Sequence, residues 1–222
     1  MQKRAPQFSS VWENNGQTMS TIAKSESVKE ECDFVTMQKL AGMITLYNPD
    51  NEVVDHVASY VEGLSRLYVM DNSQVTSETL RESLARWPQV VYIPMGGNKG
   101  IAAACNRALD LAAEDGMEWL LTMDQDSSFM QGGFADFTAH LSEAEATYPR
   151  MYAYAATNSC DDNKSSENGS FSTPVKAITS GMIVNVAMAR QAGGFDEDYF
   201  IDYVDYEFCY RCVRGGGDSC KI

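Results

Sequence analysis

Asp124 and Asp126 close the apolar run Trp119-Leu120-Leu121-Thr122-Met123, with Gln125 between them and Ser127 after. On extended backbone, residues two apart project to the same side, so both carboxylates face one way where a strand gives out. Hard carboxylate oxygens at the carboxyl edge of a sheet suit Mg2+ or Mn2+, and such an ion would hold a diphosphate. Aspartate is also a common turn former, and a polar strand-to-loop turn explains the pair without a metal. A second acidic set, Asp198, Asp202, Asp205 and Glu207, runs into a helical stretch carrying Phe208, Arg211 and Arg214. Carboxylates in the first turn of a helix are favoured by its dipole whatever else they do.

The elements that must position these groups alternate along the chain. Residues 42–47, 67–70, 90–93 and 119–123 read as buried strands. Between them, residues 51–62, 76–86 and 101–114 carry helical patterning, Val54, Val57, Ala58 and Val61 marking one face of the first. Strands alternating with helices of this length argue for βαβ units, an α/β fold and a mainly parallel sheet with helices on both faces. Ligands of such sheets bind beyond the carboxyl ends of the strands. Each strand here ends in a polar cluster: Tyr47-Asn48, Asp71-Asn72, Gly96-Gly97-Asn98 and Asp124-Gln125-Asp126. Helix N-caps favour the same residue types, and Asp50 and Ser73 could be simple caps. Further on, 132–148 reads as a helix and 151–156 as a strand. Residues 158–174 read as a long polar loop, and 176–179 with 182–185 as short strands flanking Ser180-Gly181.

The bulk properties narrow the function. A chain of 222 residues buries one good core. Its formal charge of −14 argues against a nucleic-acid partner, because phosphate backbones are held by Lys and Arg. No apolar stretch is long enough to span a bilayer and the N-terminus lacks a signal-peptide core. The expected location is therefore cytoplasmic, any membrane contact being peripheral, at the inner face of the cytoplasmic membrane. Cys209 and Cys212 have CxxC spacing but no second pair, and His56 and His140 lie far away in sequence, so reduced structural thiols are expected rather than zinc. Neither a dinucleotide fingerprint nor Walker spacing is present, since Gly96-Gly97-Asn98-Lys99-Gly100 lacks the trailing Lys-Ser/Thr. Residues 1–38, rich in Ser, Glu, Lys, Asn and Gln, read as a poorly ordered extension ahead of a domain at 39–222.

Taken in order, Tyr47-Asn48-Pro49, Asp71-Asn72-Ser73, Asn98-Lys99-Gly100-Ile101-Ala102 with Asn106, Asp124-Gln125-Asp126-Ser127 and Phe200-Ile201-Asp202-Tyr203-Val204-Asp205 resemble the family 2 inverting glycosyltransferases of GT-A fold. Within that family the blocks are most similar to bacterial rhamnosyltransferases, over residues 40–214. The resemblance implies a nucleotide-binding half at about 39–126 and an acceptor half, with a short mixed-strand region, at about 127–222. It implies that Asp71 pairs with the nucleotide base, and that Tyr47 and Asn48 line the same pocket. Asn98 and Gly100 are expected against base and ribose, Asp124 near the ribose, and Asp126 on a Mn2+ or Mg2+ ion bridging the diphosphate. Asp205 matches the catalytic base, with Asp202 as its rival, and Ser180 and Gly181 match a turn facing donor sugar and acceptor. Val204 departs from the glutamate common at that position in the family.

The resemblance implies transfer of a sugar, rhamnose from dTDP-rhamnose first and a UDP-hexose donor as the alternative, onto a polysaccharide or lipid-linked glycan. Family members usually continue past the base helix, so a truncated C-terminus is expected, with donor binding less affected than transfer. Two competing readings stand beside this one. A sugar-1-phosphate nucleotidyltransferase would need a Gly-rich first loop with Arg and Lys, which is not found. A non-catalytic nucleotide-sugar-binding or scaffold protein would bind donor without transferring it.

Overall fold

The computed structural model describes residues 39–147, 151–156, 177–216 and 218–221. In chain order the elements are β1 (Leu40–Leu46), α1 (Val53–Ala58), a 3-10 turn at Val61–Gly63, β2 (Arg66–Asp71), α2 (Glu78–Leu84) and β3 (Val90–Pro94). There follow α3 (Ile101–Glu114), β4 (Trp119–Asp124), α4 (Gly133–Thr147), β5 (Met151–Ala155), β6 (Met182–Asn185), α5 (Val186–Gln191), α6 (Val204–Arg214) and β7 (Asp218–Lys221). They build one sheet in the order β3-β2-β1-β4-β6-β5-β7. β1 pairs in parallel with β2 and β4, and β2 with β3, whereas β6 runs antiparallel to both β4 and β5. Reversal of β6 brings its first residues to the edge where β1 to β4 end, and the acidic loops sit there.

Both faces of the sheet are covered, and successive strand residues divide between them as the pleat requires. Met43, Tyr68, Met70 and Leu120 pack with Cys105, Ala108, Leu109, Phe195 and Phe208 on one side. Ile44, Leu67, Val69 and Leu121 pack with Val57, Leu80, Leu84, Phe134 and Phe137 on the other. Such two-faced burial explains why these strands read as continuous apolar runs rather than alternating ones. The α/β, mainly parallel architecture expected from the sequence is the one observed.

The departures are local. Residues 51–62 do not form one helix: α1 stops at Ala58, Ser59 Oγ donates back to the His56 carbonyl, and the 3-10 turn follows. Residues 177–179 are not a strand. Their polar groups turn instead to the end of β4, where Thr122 Oγ1 donates to the Thr179 carbonyl and Gly181 N–H donates to the Thr122 carbonyl. Ser180-Gly181 therefore leads into one strand rather than joining two. β7 was not expected at all; it follows a glycine run and pairs in parallel with β5 at the sheet edge. The extension at 1–38, the polar loop at 158–174 and Lys176 lie outside the described residues.

Candidate active site

The loop after β1 and the loop after β4 are fastened to each other. Gln125 accepts the Tyr47 N–H with Oε1 at 2.8 Å and returns Nε2 to the Tyr47 carbonyl at 3.4 Å. Its own carbonyl is 2.8 Å from His56 Nδ1 on α1, which fixes that nitrogen as the protonated one. Gln125 is the residue between the two aspartates, so its side chain sets how Asp124 and Asp126 stand relative to Tyr47. Asn48 sits at φ 45°, in the left-handed region that Asn tolerates better than most residues, and its N–H donates to Ser73 Oγ at 2.8 Å. Tyr47 is left half exposed at the mouth of the edge.

Asp71 ends β2 and is buried. Its Oδ1 accepts the Ser73 N–H at 2.9 Å, and Tyr92 on β3 donates its phenol to Oδ2. Burial, then the bond to Asp71, pushes the Tyr92 phenol upward, so it remains a donor at any ordinary pH. A carboxylate has about four acceptor positions, and these two bonds fix its plane without using them all. Next to it, Asn72 Nδ2 donates to the Gly100 carbonyl at 3.1 Å and its Oδ1 accepts the Lys99 N–H at 3.3 Å. Asn98 closes a short turn by accepting the Gly100 N–H at 3.1 Å.

Asp124 is the electrostatic centre. Burial first, then the charges of Asp126 and Asp205, push its carboxyl up to about 6. The influence of Asp205 means that the first turn of α6 lies within electrostatic reach of the β4 edge. Ser180 Oγ accepts the Asp124 N–H at 3.5 Å, which places the Ser180-Gly181 turn beside the same carboxylate. Asp126 is exposed, as is Asp202. Glu207 is committed to Arg211, which grips both of its oxygens through Nε at 2.7 Å and Nη2 at 2.5 Å. Glu207 is thus occupied, whereas Asp205, in the same first turn, is the α6 carboxylate whose charge reaches Asp124.

The donor set suits a divalent cation. Burial, then the charges of Asp126 and Asp205, raise the hold of Asp124 on its proton, and a metal ion here would offset those charges. Among the described residues no three His, Cys, Asp or Glu side chains are arranged to hold a metal on their own. An ion here would take its remaining ligands from diphosphate oxygens and water, as Mg2+ commonly does. Cys209 and Cys212 are elsewhere: both are buried, and burial pushes the Cys212 thiol up to about 12.

All eleven residues singled out in the sequence lie at this edge, on the segment leading to α6 or in its first turn. Sequence reasoning missed the residues that hold them, namely Tyr92 for Asp71, Gln125 and His56 for Tyr47, and Thr122 for the Ser180 turn. The usable signal was partial: Gln125 stands between the aspartates, and Tyr92 lies two residues before the end of β3, beside the end of β2.

A family model for glycosyl transferase family 2 matches residues 44–185, a span that holds every donor-side residue from Tyr47 to Gly181 but not Asp202 or Asp205. The dTDP-rhamnosyl transferase RfbF of Shigella flexneri is 28% identical over 187 residues, covering 78% of this chain and 63% of that protein. The chain thus spans less than two thirds of that relative's length. Among solved structures, the mannosyltransferase PcManGT from Pyrobaculum calidifontis, in complex with GDP-Man and Mn2+, matches with TM-score 0.62 at 12% identity, over 90% of this chain and 67% of that one. GalNAc-T7 with UDP, GalNAc and Mn2+ matches with TM-score 0.65 at 12% identity, over 83% of this chain and 42% of that one. At such identities the likeness is one of fold. No helix among the described residues is long and apolar enough to cross a membrane.

Proposed function

Since the chain belongs to glycosyl transferase family 2, we propose that it transfers a sugar, with inversion, from a nucleoside-diphosphate donor to a hydroxyl of a glycan or lipid-linked glycan. The observation that carries this reading is that Asp126 and Asp205 lie within electrostatic reach of Asp124 at the sheet edge, where burial first and then their charges push its carboxyl up to about 6. Tyr47, Asn48, Asp71, Asn98 and Gly100 form the nucleotide side, within a nucleotide-binding half at about 39–126. Asp71 meets the base with a carboxylate whose plane Ser73 and Tyr92 fix. Asp124 stands near the ribose, and Asp126, exposed beside it, is the residue that would hold Mn2+ or Mg2+. A bound divalent ion would offset the negative charge that gathers on the departing diphosphate.

Asp205 takes the proton from the acceptor hydroxyl as its oxygen attacks the anomeric carbon, and the nucleoside diphosphate leaves with the bonding pair. α6 projects Asp205 from its first turn, and Arg211, oriented by Glu207, ties that helix to the Ala192 and Gly194 carbonyls. Ser180 and Gly181 border the donor sugar, and Asp202, on the exposed approach, faces the acceptor. dTDP-rhamnose is the donor supported best, because the 28% identical relative carries that activity in its name. A UDP-hexose is the second choice, as one solved structure of like fold holds UDP. The site is expected to work on the cytoplasmic side, with at most peripheral membrane contact.

Calorimetric titration of dTDP and UDP, with and without Mn2+, tests the donor site. Metal-dependent binding that prefers dTDP and disappears in Asp126→Ala is the expected result. A preference for UDP replaces the donor but keeps the site. Failure of a folded protein to bind either nucleotide removes the donor-site assignment.

A further inference from the structure

We infer that Asn106, with Gly194 and Gly100, is a positioning device for the base: it clamps the segment at 194–200 onto α3 and so holds α6, with Asp205 at its start, at the donor edge. The inference rests on the functional reading above for the role of Asp205, but its geometry does not. Asn106 lies in the second turn of α3. Its Oδ1 accepts the Phe195 N–H at 2.7 Å, and its Nδ2 donates to the Phe195 carbonyl at 2.8 Å and to Glu197 Oε1 at 2.9 Å. The Phe195 N–H needs an acceptor and the Phe195 carbonyl a donor, so the amide has one workable orientation.

Two glycines make the approach close enough. A Cβ on Gly194 would stand 2.4 Å from Asn106 Oδ1, and the residue sits at φ +71°. A Cβ on Gly100 would stand 2.6 Å from the Phe200 carbonyl oxygen, at φ +87°. That same oxygen accepts the Ile101 N–H, the first amide of α3, at 2.8 Å. The segment at 194–200 is therefore pinned at both ends to one helix, and at each end a side chain is missing where the backbone must come near.

From this segment the constraint passes to α6. Phe195 is buried and stacks on Phe208, one turn beyond Asp205, with ring centroids 4.3 Å apart. Arg211 reaches back from α6 to the Ala192 and Gly194 carbonyls while gripping Glu207. Gly100 caps the start of α3, and Asn72 holds its carbonyl from beside Asp71. A continuous path of packed and hydrogen-bonded groups thus joins the end of β2 to the helix that carries the base. The side-chain hydrogen bonds of Asn106 go to Phe195 and Glu197 rather than to Asp205 or a residue placed at the nucleotide, so it acts through Phe195 and α6.

The test is Asn106→Ala in the full protein, with three readings: nucleotide affinity by calorimetry, turnover with donor and acceptor, and amide exchange across residues 195–206. Nucleotide affinity should stay within about twofold, turnover should fall by about 10- to 100-fold through kcat, and exchange at 195–206 should accelerate, because ångström-scale misplacement of a reacting group costs rates of that order. Gly194→Ala should repeat the pattern and stands in if Asn106→Ala does not fold. Unchanged exchange at 195–206, or a loss of turnover matched by an equal loss of nucleotide affinity, would overturn the inference. Failure of the unaltered protein to bind any nucleotide would overturn the donor-site reading alone, and the exchange measurement would still decide the clamp.

Discussion

Replacing Asp124 with asparagine should make the metal-free protein more stable at neutral pH while removing the donor site. The carboxyl is raised from 3.8 to about 6, first by burial and then by Asp126 and Asp205, which corresponds to about 3 kcal/mol between the two protonation states. The folded protein holds this proton more tightly than the unfolded chain does. Its contribution to stability is complete below the unfolded value near 3.8 and is lost as pH rises through about 6. At pH 7.5 the folded state therefore carries a partly buried, repelled charge whose cost the unfolded chain does not feel. Asparagine keeps the shape without the charge, and the new amide needs a partner of its own, so the net gain is expected at about 1–2 kcal/mol. Urea unfolding followed through tryptophan fluorescence, in a chelator and from pH 5 to 8, reads this directly. The unaltered protein should lose stability across that range and the variant should not, and Mn2+ with dTDP should raise the midpoint of the unaltered protein alone. A variant less stable at pH 7.5, or one with the same pH slope, refutes the reasoning.

Gly100→Ala must adopt φ 87°, ψ 168°, a region essentially reserved for glycine, and press on the Phe200 carbonyl. Strain of ~1–3 kcal/mol and overpacking of similar size should lower the urea midpoint by the equivalent of ~2–5 kcal/mol, and a loss below ~1 kcal/mol would show that the two segments separate freely. Tyr92→Phe removes a donor from buried Asp71 and should cost ~1–3 kcal/mol in unfolding together with a several-fold loss of dTDP affinity. Unaltered affinity in that variant would mean Asp71 needs no help from Tyr92. Glu207→Gln discharges the two-point grip on Arg211, whose carbonyl bonds to Ala192 and Gly194 remain, so thermal melting should show a loss of only about 1–2 kcal/mol.

What the sequence made legible was whatever leaves a local trace. β1, β2 and β4 are largely apolar because both faces of the sheet are covered, and each gives way abruptly to polar residues where the edge loops start. α3, with its buried alanines at helical spacing, matches its expected limits at Ile101 and Glu114. β7 left no such trace: Asp218–Lys221 has no strand pattern and takes its conformation from the open edge of β5. Residues 177–179 have strand composition, but their hydrogen bonds go to Thr122 across more than fifty residues. Candidate site residues at strand ends were readable for the same reason as the strands. The partners that aim them were not, since Tyr92 to Asp71, Gln125 to Tyr47 and Asn106 to Phe195 join positions 21, 78 and 89 residues apart. Gly194 shows the same limit. Its neighbour in sequence says turn, and only the fold reveals the asparagine lying against it.

The central claim is that Asp205 is the base of an inverting transfer. Donor turnover should be measured for the unaltered protein and Asp205→Asn, using dTDP-rhamnose and a glycan acceptor, with nucleotide product and anomeric configuration analysed together. The unaltered protein should release dTDP and give a product of inverted configuration. Asp205→Asn should bind the donor as before and transfer at about 10^2- to 10^4-fold lower rate. Transfer at an undiminished rate in the variant, retention of configuration, or release of pyrophosphate would contradict the account.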